Sequence, residues 1–414
     1  MRKLSLIVLS LASLGLVAAL VYRYPPVQSQ VGWRVDFALI YLRSLIEPVQ
    51  AMPTALPRPQ VITTNHTIVT PIPTATPIPS PTLAFTPTPQ PSPTPIATAS
   101  SLSAPRWERQ DINNCGPAAL AMYLRFYGWE GDQKTISELI KPYREDRNVN
   151  VEELAYYVRT RAGWLNFEYR VGGDLPLLKE LIAAGIPVMI EESFYFDEAY
   201  WRGDDLWAAH YQLLTGYDDA TQKFTAQDSF RGANLPITYD KLDKDWQAFN
   251  RVYIMIYLPH QEETVKSIVG QDWELDSNRQ HALEIAQAET QTEPDNAFAW
   301  FNLGTNLTYF ERYIEATDAY DKARQLGLPQ RMLRYQFGPF IAYFHTGQID
   351  DLLTLTNYAL KITKNAEEAL LWHGWAMYRT GKKNLAMQDF AQALANNPTY
   401  QDAQYALDFV QANP

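Results

Sequence analysis

A proline-rich stretch without charged residues divides this chain of 414 residues. Thirteen prolines lie between Pro53 and Pro95, and no charged residue occurs between Pro59 and Pro105. Proline cannot donate a backbone hydrogen bond, and the stretch has too few aromatic residues to form a core. We therefore predict an extended, disordered stalk over residues 52–105, with the larger folded parts after it. The alternative is a ligand for proline-binding domains.

The sequence before the stalk favours a membrane anchor. Residues 4–22 carry no charge over nineteen positions and follow Arg2 and Lys3. That length is enough to cross a bilayer as a helix, and no Ala-x-Ala cleavage site follows. We expect an uncleaved anchor over residues 1–24, with the bulk of the chain outside the cytoplasm; a cleaved signal peptide is the alternative. Residues 25–51 contain an amphipathic helical pattern that suits either the membrane surface or a neighbouring domain.

Composition changes at Trp107, and residues 106–259 have the pattern of a folded domain with helices first and strands later. Asp174 is a plausible N-cap of one helix, and Gly185 a plausible stop. This order predicts an α+β domain with a mainly antiparallel sheet. Helices are expected at residues 115–127, 133–142, 150–161 and 174–185, and strands at 186–192, 210–218, 223–228 and 251–258.

The last part of the chain, residues 263–412, is periodic. Small and large residues recur at intervals that resemble tetratricopeptide repeats, with thirty-four residues from Gly347 to Gly381. The copies that contain Gly304 and Gly374 are clear, the copy with Leu352 is degenerate, and a divergent fourth copy would begin near residue 263. Such repeats form an all-α solenoid with a surface for a partner protein or a polypeptide substrate.

Cys115 is the only cysteine, which excludes an internal disulfide and a multi-cysteine zinc site. It stands where polar sequence gives way to an apolar run, and Gly116 and Pro117 follow it. This pattern predicts the first turn of a helix, where unpaired N–H groups favour a thiolate. Gly116 is expected to leave room for a substrate beside the sulfur. The alternative is a buried, unreactive cysteine.

A nucleophilic cysteine needs a base, and His210 is the only histidine between Trp107 and Leu258. Asp228 ends the next strand, where it is placed to orient the imidazole. Gln110 is a candidate donor to a developing oxyanion, beside the backbone N–H of Cys115. No metal or cofactor is expected, and a net charge of −11 argues against nucleic acid as a partner.

The segments QDINNCGPAALAM, GIPVMI, HYQLLTGYD and QDS resemble the papain-like bacteriocin-processing cysteine peptidases, in the branch whose domain occurs without an exporter. The resemblance implies a papain-like fold over residues 106–259. It also implies that Cys115 is the nucleophile, His210 the general base and acid, Asp228 the orienting group and Gln110 the oxyanion donor. The family often has proline after the aspartate, where this chain has Ser229. The sequence contains no glycine-rich phosphate loop, which disfavours trimming of double-glycine leader peptides during export.

Together these patterns predict a membrane-anchored, extracytoplasmic cysteine peptidase that hydrolyses peptide or amide bonds and uses its repeats for a partner or a substrate. Two alternatives stay open at this point. One is a catalytically inactive peptide-binding scaffold, and the other is a thiol-dependent transpeptidase.

Overall fold

The computed structural model describes Ser13 and residues 38–39, 41–57, 96–141 and 149–413. Apart from Ser13, the anchor predicted for residues 1–24 lies outside these ranges. Within them, no helix is both long enough and apolar enough to cross a membrane.

The first folded part combines helices with one antiparallel sheet, so the α+β class is confirmed. The helix with the expected N-cap begins as predicted, because the Asp174 side chain accepts a hydrogen bond of 2.8 Å from the backbone N–H of Leu177. Gly185 follows that helix with φ of +86°, a conformation that suits glycine. In chain order the elements are β1 (Ala99–Ser101), α1 (Cys115–Phe126), α2 (Gln133–Ile140), α3 (Val151–Arg161), β2 (Asn166–Arg170), α4 (Leu175–Ala183), β3 (Val188–Tyr195), β4 (Trp207–Asp218), β5 (Lys223–Asp228), β6 (Gly232–Thr238), α5 (Tyr239–Trp246), β7 (Tyr253–Tyr257) and α6 (Glu262–Val269).

The sheet has the strand order β2-β7-β3-β4-β5-β6, and β1 pairs with the far end of β4. The central strand β4 starts at Trp207. The sequence pattern had placed its start three residues later, at His210. Gln212 on β4 pairs directly with Asp228 on β5. Directly paired residues share one face of a sheet, and so do residues two apart on one strand. Asp228 therefore lies diagonally beside His210, which places the two side chains within reach of each other.

Apolar side chains cover the sheet on both faces, which fixes the helices over it. On one face, α1 buries Leu120 and Met122 in a cluster with Tyr211 and Leu213 of β4. On the other face, side chains of α4 and α5 form a second cluster around Leu214. The helix that begins with Cys115 is thus packed against the strand that carries His210.

The C-terminal part is helical, as the repeat pattern predicts. A Cβ added at Gly304 would lie 2.7 Å from the ring of Tyr320, and one added at Gly374 would lie 2.5 Å from the ring of Phe390. Each glycine therefore allows an aromatic ring of the next helix to approach its backbone. The helices are α7 (Leu275–Thr292), α8 (Ala297–Tyr309), α9 (Tyr313–Leu326), α10 (Gly338–His345), α11 (Ile349–Ile362), α12 (Glu367–Arg379), α13 (Lys383–Asn396) and α14 (Gln401–Ala412).

The expectation of a fourth repeat from residue 263 is wrong for its first helix. Val265 and Val269 of α6 belong to the apolar cluster around Leu214 on the sheet. The Arg170 guanidinium of β2 donates hydrogen bonds of 2.8 and 3.0 Å to the carbonyl oxygens of Asp272 and Trp273. The segment after residue 262 thus packs on the first folded part. The helix α7, which follows it, packs on α8 of the repeats.

The expectation of disorder over residues 52–105 is wrong at both ends. At one end, β1 forms an antiparallel pair with β4, in which Ala99 faces Asp218. At the other end, Met52 is buried in the apolar core of the repeats, and neighbouring backbone groups bond to repeat helices. These ends are ordered because their backbone groups find partners on the folded parts. Residues 58–95 lie outside the described ranges.

The two folded parts share one apolar core. The rings of Trp207 and Phe249 stack with centroids 5.8 Å apart. Phe298 and Tyr335 of the repeat region lie 6.3 and 5.8 Å from the Trp207 ring. The predicted boundary between residues 259 and 263 therefore separates segments whose side chains pack together across it.

Candidate active site

Cys115 is the first residue of α1, as predicted, and it is partly exposed. The loop before it is held by Gln133, at the start of α2. The Gln133 side-chain oxygen accepts hydrogen bonds of 2.7 Å from the backbone N–H of Asp111 and from the Asn114 side-chain amide. Gln133 therefore fixes the approach to the helix start where the thiol stands. No local pattern in the sequence singles out this glutamine, which lies on a different helix.

His210 and Asp228 are in direct contact, in the arrangement that the strand pattern predicts. Nε2 of His210 lies 2.9 Å from Oδ1 of Asp228, and both side chains are buried. An ionised carboxylate can only accept, so Nε2 carries the proton in this contact. The other ring nitrogen, Nδ1, is then left to interact with the Cys115 thiol.

Several donors hold the Asp228 carboxylate. Oδ1 also accepts backbone hydrogen bonds from Phe230 and Arg231, at 2.7 and 2.9 Å, and Oδ2 accepts one from the Gln212 side chain at 3.2 Å. Burial opposes ionisation of Asp228, but the hydrogen bond and charge of His210, with the two backbone donors, outweigh it and lower its pKa. A fixed, ionised Asp228 in turn fixes the orientation of the imidazole.

The electrostatic environment favours charge separation between the thiol and the imidazole. Burial alone would raise the pKa of the Cys115 thiol, but the hydrogen bond and charge of His210 outweigh it, and the pKa is lowered. The backbone N–H of Tyr211 and the charge of Lys141 act in the same direction. Burial also disfavours the charged form of His210, yet hydrogen bonds with Asp228 and Cys115 raise its pKa to about 10. Both shifts favour a thiolate–imidazolium pair over the neutral thiol and imidazole.

Gln110 is held by Ser229, the residue that differs from the proline common in the resembled family. The backbone N–H of Gln110 donates to the Ser229 carbonyl oxygen at 2.9 Å, and the Ser229 hydroxyl donates to Oε1 of Gln110 at 2.9 Å. Since its side-chain oxygen is engaged, the amide nitrogen of Gln110 is the group left to donate. Gln110 lines the same pocket as Cys115 and His210. The structure thus brings all four sequence-predicted site residues together.

The pocket beside Cys115 has a volume of about 560 Å³. Part of its wall is the segment between β3 and β4, residues 196–206, which we call the flap. The flap contributes aromatic and acidic side chains to the pocket, namely Phe196, Asp197, Glu198 and Tyr200. The sequence identified this segment as rich in both residue types but could not orient it.

The repeat region holds the flap in place. The Arg331 guanidinium forms two hydrogen bonds with the Asp204 carboxylate, at 2.6 and 2.7 Å, and lies 3.9 Å from the centre of the Trp201 ring. Gln330 accepts a hydrogen bond of 2.9 Å from the indole N–H of Trp201. A residue of the repeat region, Tyr335, also lines the pocket itself. The pocket is therefore assembled from both folded parts.

Gly116 lines the pocket beside Cys115, and a Cβ added there would lie 3.4 Å from Tyr211 and from Val149. One further residue of the pocket was missed by the sequence analysis. Glu191 lines the pocket, and burial raises the pKa of its carboxyl well above the usual range. Among the residues that the structure describes, no group of histidine, cysteine and carboxylate side chains is arranged to hold a metal ion.

Comparisons with known proteins agree with this description of the first folded part. Residues 101–256 match the family model described as the Peptidase_C39 like family, which confirms the predicted resemblance. No curated protein matches the chain.

Solved structures similar to parts of the chain have low sequence identity. A C39-like peptidase from Bacillus anthracis is 16% identical, with 38% of this chain and 96% of that chain covered and a TM-score of 0.31. YrrB, a TPR protein with an unusual peptide-binding site, is 21% identical over 32% of this chain and 68% of its own, with a TM-score of 0.29. A double glycine motif protease from an AMS/PCAT transporter, in complex with the leader peptide, is 16% identical over 38% and 94%, with a TM-score of 0.28.

Proposed function

We propose that this chain, whose residues 101–256 match the Peptidase_C39 like family, is a cysteine peptidase that hydrolyses peptide or amide bonds. One observation carries the proposal: His210, which bonds the buried Asp228 carboxylate, lines the same pocket as the Cys115 thiol and lowers the pKa of that thiol. Beside this trio lies a pocket of about 560 Å³ that can take a substrate. A buried structural cysteine would need neither the base nor the pocket.

In the first step, the Cys115 thiolate attacks the carbonyl carbon of the scissile bond. The carbonyl π electrons move to oxygen, and the resulting oxyanion accepts hydrogen bonds from the Gln110 amide and the Cys115 backbone N–H. When the tetrahedral intermediate collapses, the C–N bond breaks and the amine takes the proton of the His210 imidazolium. Asp228 keeps the ring oriented during this transfer.

In the second step, neutral His210 takes a proton from water, and the oxygen of that water attacks the thioester carbon. The oxyanion forms again at the same donors. Its collapse breaks the C–S bond, which releases the carboxylic acid and restores the thiolate. An amine in place of water would give transpeptidation through the same intermediate.

We further propose that the protein is anchored in a membrane by residues 1–24, with its bulk outside the cytoplasm. The nineteen uncharged residues 4–22 support this placement. The short helical segment at residues 41–46 supports it as well, because Leu42, Leu45 and Ile46 are exposed there and offer an apolar face to a bilayer surface.

The substrate we propose is a polypeptide with apolar or basic side chains near the cleaved bond. Phe194, Phe196 and Tyr200 give the pocket apolar surface, and Asp197 and Glu198 give it negative charge. The repeat region, which supports the flap, is the proposed site for a partner or for more distant parts of the substrate.

Mass spectrometry of products tests this proposal. The full chain is incubated with a mixture of unstructured polypeptides, with and without an added amine, and compared with the Cys115→Ala variant. We expect products with new carboxyl ends from the unmodified chain and no such products from Cys115→Ala. Amide products in the presence of the amine would instead identify a transpeptidase. If the polypeptides bind but neither cleavage products nor amide products form, the protein is a catalytically inactive peptide-binding scaffold.

A further inference from the structure

We infer that the repeat region carries a binding site for an extended polypeptide main chain, and that residues 50–56 of this same chain are its resident ligand. We call these residues the strap. The strap includes the start of the proline-rich stretch, and hydrogen bonds join it to α9 and α11 of the repeats. It therefore fastens the N-terminal part of the chain to a part that lies about 270 residues further along.

Arg324 on α9 binds the main chain of the strap. Its Nε donates to the carbonyl oxygen of Pro53, and its Nη2 donates to that of Thr54, both at 2.9 Å. Two consecutive carbonyl groups thus occupy two N–H groups of one planar guanidinium, a geometry that lysine cannot offer.

The same guanidinium is fixed from the opposite side. Nη1 of Arg324 donates hydrogen bonds of 2.8 Å to the Tyr343 hydroxyl and to Oδ1 of Asp351. The Arg324 side chain is buried, so these partners leave its other donors directed at the strap. The site is consequently pre-arranged to accept carbonyl oxygens.

Further contacts extend the site along the strap. The backbone N–H of Leu56 donates to Oδ1 of Asp351 at 3.2 Å, and the Tyr358 hydroxyl lies 3.1 Å from the carbonyl oxygen of Gln50. Met52 is buried in the apolar core of the repeats. The site thus combines main-chain recognition at both ends with one apolar side chain near the middle.

The strap sequence suits this recognition. Pro53 and Pro57 have no N–H to satisfy and restrict the backbone to extended conformations, which reduces the entropy lost on binding. The Thr54 side chain is exposed, so only its carbonyl group takes part. The ligand class is therefore an extended, proline-containing segment with one buried apolar side chain, supplied here in cis.

A cleavage experiment on the full chain tests the inference without reference to catalysis. A protease site is placed within residues 58–95, the purified protein is cut in detergent, and the two pieces are separated by size-exclusion chromatography. We expect the N-terminal piece to remain bound to the C-terminal piece. An excess of a synthetic peptide with the sequence of residues 48–57 should displace it.

Matched variants locate the contact. Met52→Asp buries a charge and should speed release on the order of tenfold or more, whereas Thr54→Ala should release no faster than the unmodified chain. Arg324→Met should also speed release, and its control is Arg312→Met, next to the opposite end of the same helix, where the arginine pairs with exposed Glu315. Thermal unfolding of both arginine variants shows whether the repeats are still folded.

The inference would be overturned by either of two results. One is immediate separation of the pieces of the unmodified chain. The other is retention of the Met52→Asp piece as firmly as that of the unmodified chain. Because Met52→Asp alters only the strap, its result stands even where Arg324→Met unfolds the repeats.

Discussion

Replacement of His210 by alanine should reverse the direction of the pKa shift of Cys115. In the intact site, the hydrogen bond and the charge of His210 are the largest influences that lower this pKa below its ordinary value of 9.0. Burial opposes them and is the largest influence of all. Without the imidazole, burial prevails over the weaker effects of Tyr211 and Lys141, and the pKa should rise above 9.0.

Each pH unit by which this pKa rises corresponds to roughly 1.4 kcal/mol of lost thiolate stabilisation and, below the pKa, to an about tenfold smaller thiolate fraction. The thiolate is the form that reacts with iodoacetamide, so the rate of alkylation at pH 7 should fall about tenfold or more. In the unmodified chain, alkylation should already be fast well below pH 8.

The assay is the rate of iodoacetamide modification between pH 5 and 10, followed by intact mass. Because Cys115 is the only cysteine, every modified molecule reports this site. His260→Ala is the matched control, since His260 is exposed and lies outside the pocket. Asp228→Asn should give a smaller shift, because it acts through the orientation of the ring. A pH profile of His210→Ala that coincides with that of the unmodified chain would refute the ion pair and the catalytic role built on it.

Three further predictions concern the surroundings of the site. Burial raises the pKa of Glu192 to about 8, so its protonation stabilises the fold fully below the unfolded-state pKa of about 4.3, and this stability is lost as pH rises toward 8. Glu192→Gln should therefore flatten the fall of the melting temperature over that range, and an unchanged fall would contradict the assignment. Ser229→Ala should release the Gln110 side chain and lower kcat by about tenfold while iodoacetamide alkylation stays unchanged; equal loss in both measurements would indicate general disruption. Arg331→Met leaves the buried Asp204 carboxylate unpaired and should cost about 3–5 kcal/mol in urea unfolding, and Asp204→Asn added to it should restore part of that loss.

The sequence was sufficient for the features that arise from local patterns. Asp174 and Gly185 delimited one helix, and a polar-to-apolar change placed Cys115 at the start of another. The contact between His210 and Asp228 was predictable because the two strands are joined by a short turn, so their pairing follows from their adjacency in the chain. Helix caps, helix starts and hairpin pairing can be predicted without knowledge of residues that are distant in the sequence.

Contacts between residues far apart in the sequence had no such signal. The ion pair of Arg331 with Asp204 joins residues 127 positions apart, and the bonds of Arg324 to the strap join residues about 270 positions apart. Neither arginine belongs to a periodic pattern that distinguishes it from a solvated surface residue. The proline-rich composition also concealed the strap, because a segment without regular structure can still bind by its carbonyl groups.

The shared core changes what the repeat region means for the site. Trp207 is the first residue of the strand that carries His210, and its ring packs against Phe249, Phe298 and Tyr335. That end of the strand, like the flap, is thus held by side chains of the repeat region. Tyr335 contacts Trp207 at the start of the strand and also lines the pocket. A change of the repeat surface that moves Tyr335 would therefore alter both the strand start and the pocket wall. The repeats therefore act as part of the scaffold of the pocket, and the division into a peptidase domain and a separate binding domain, which the sequence suggested, does not describe how the site is built.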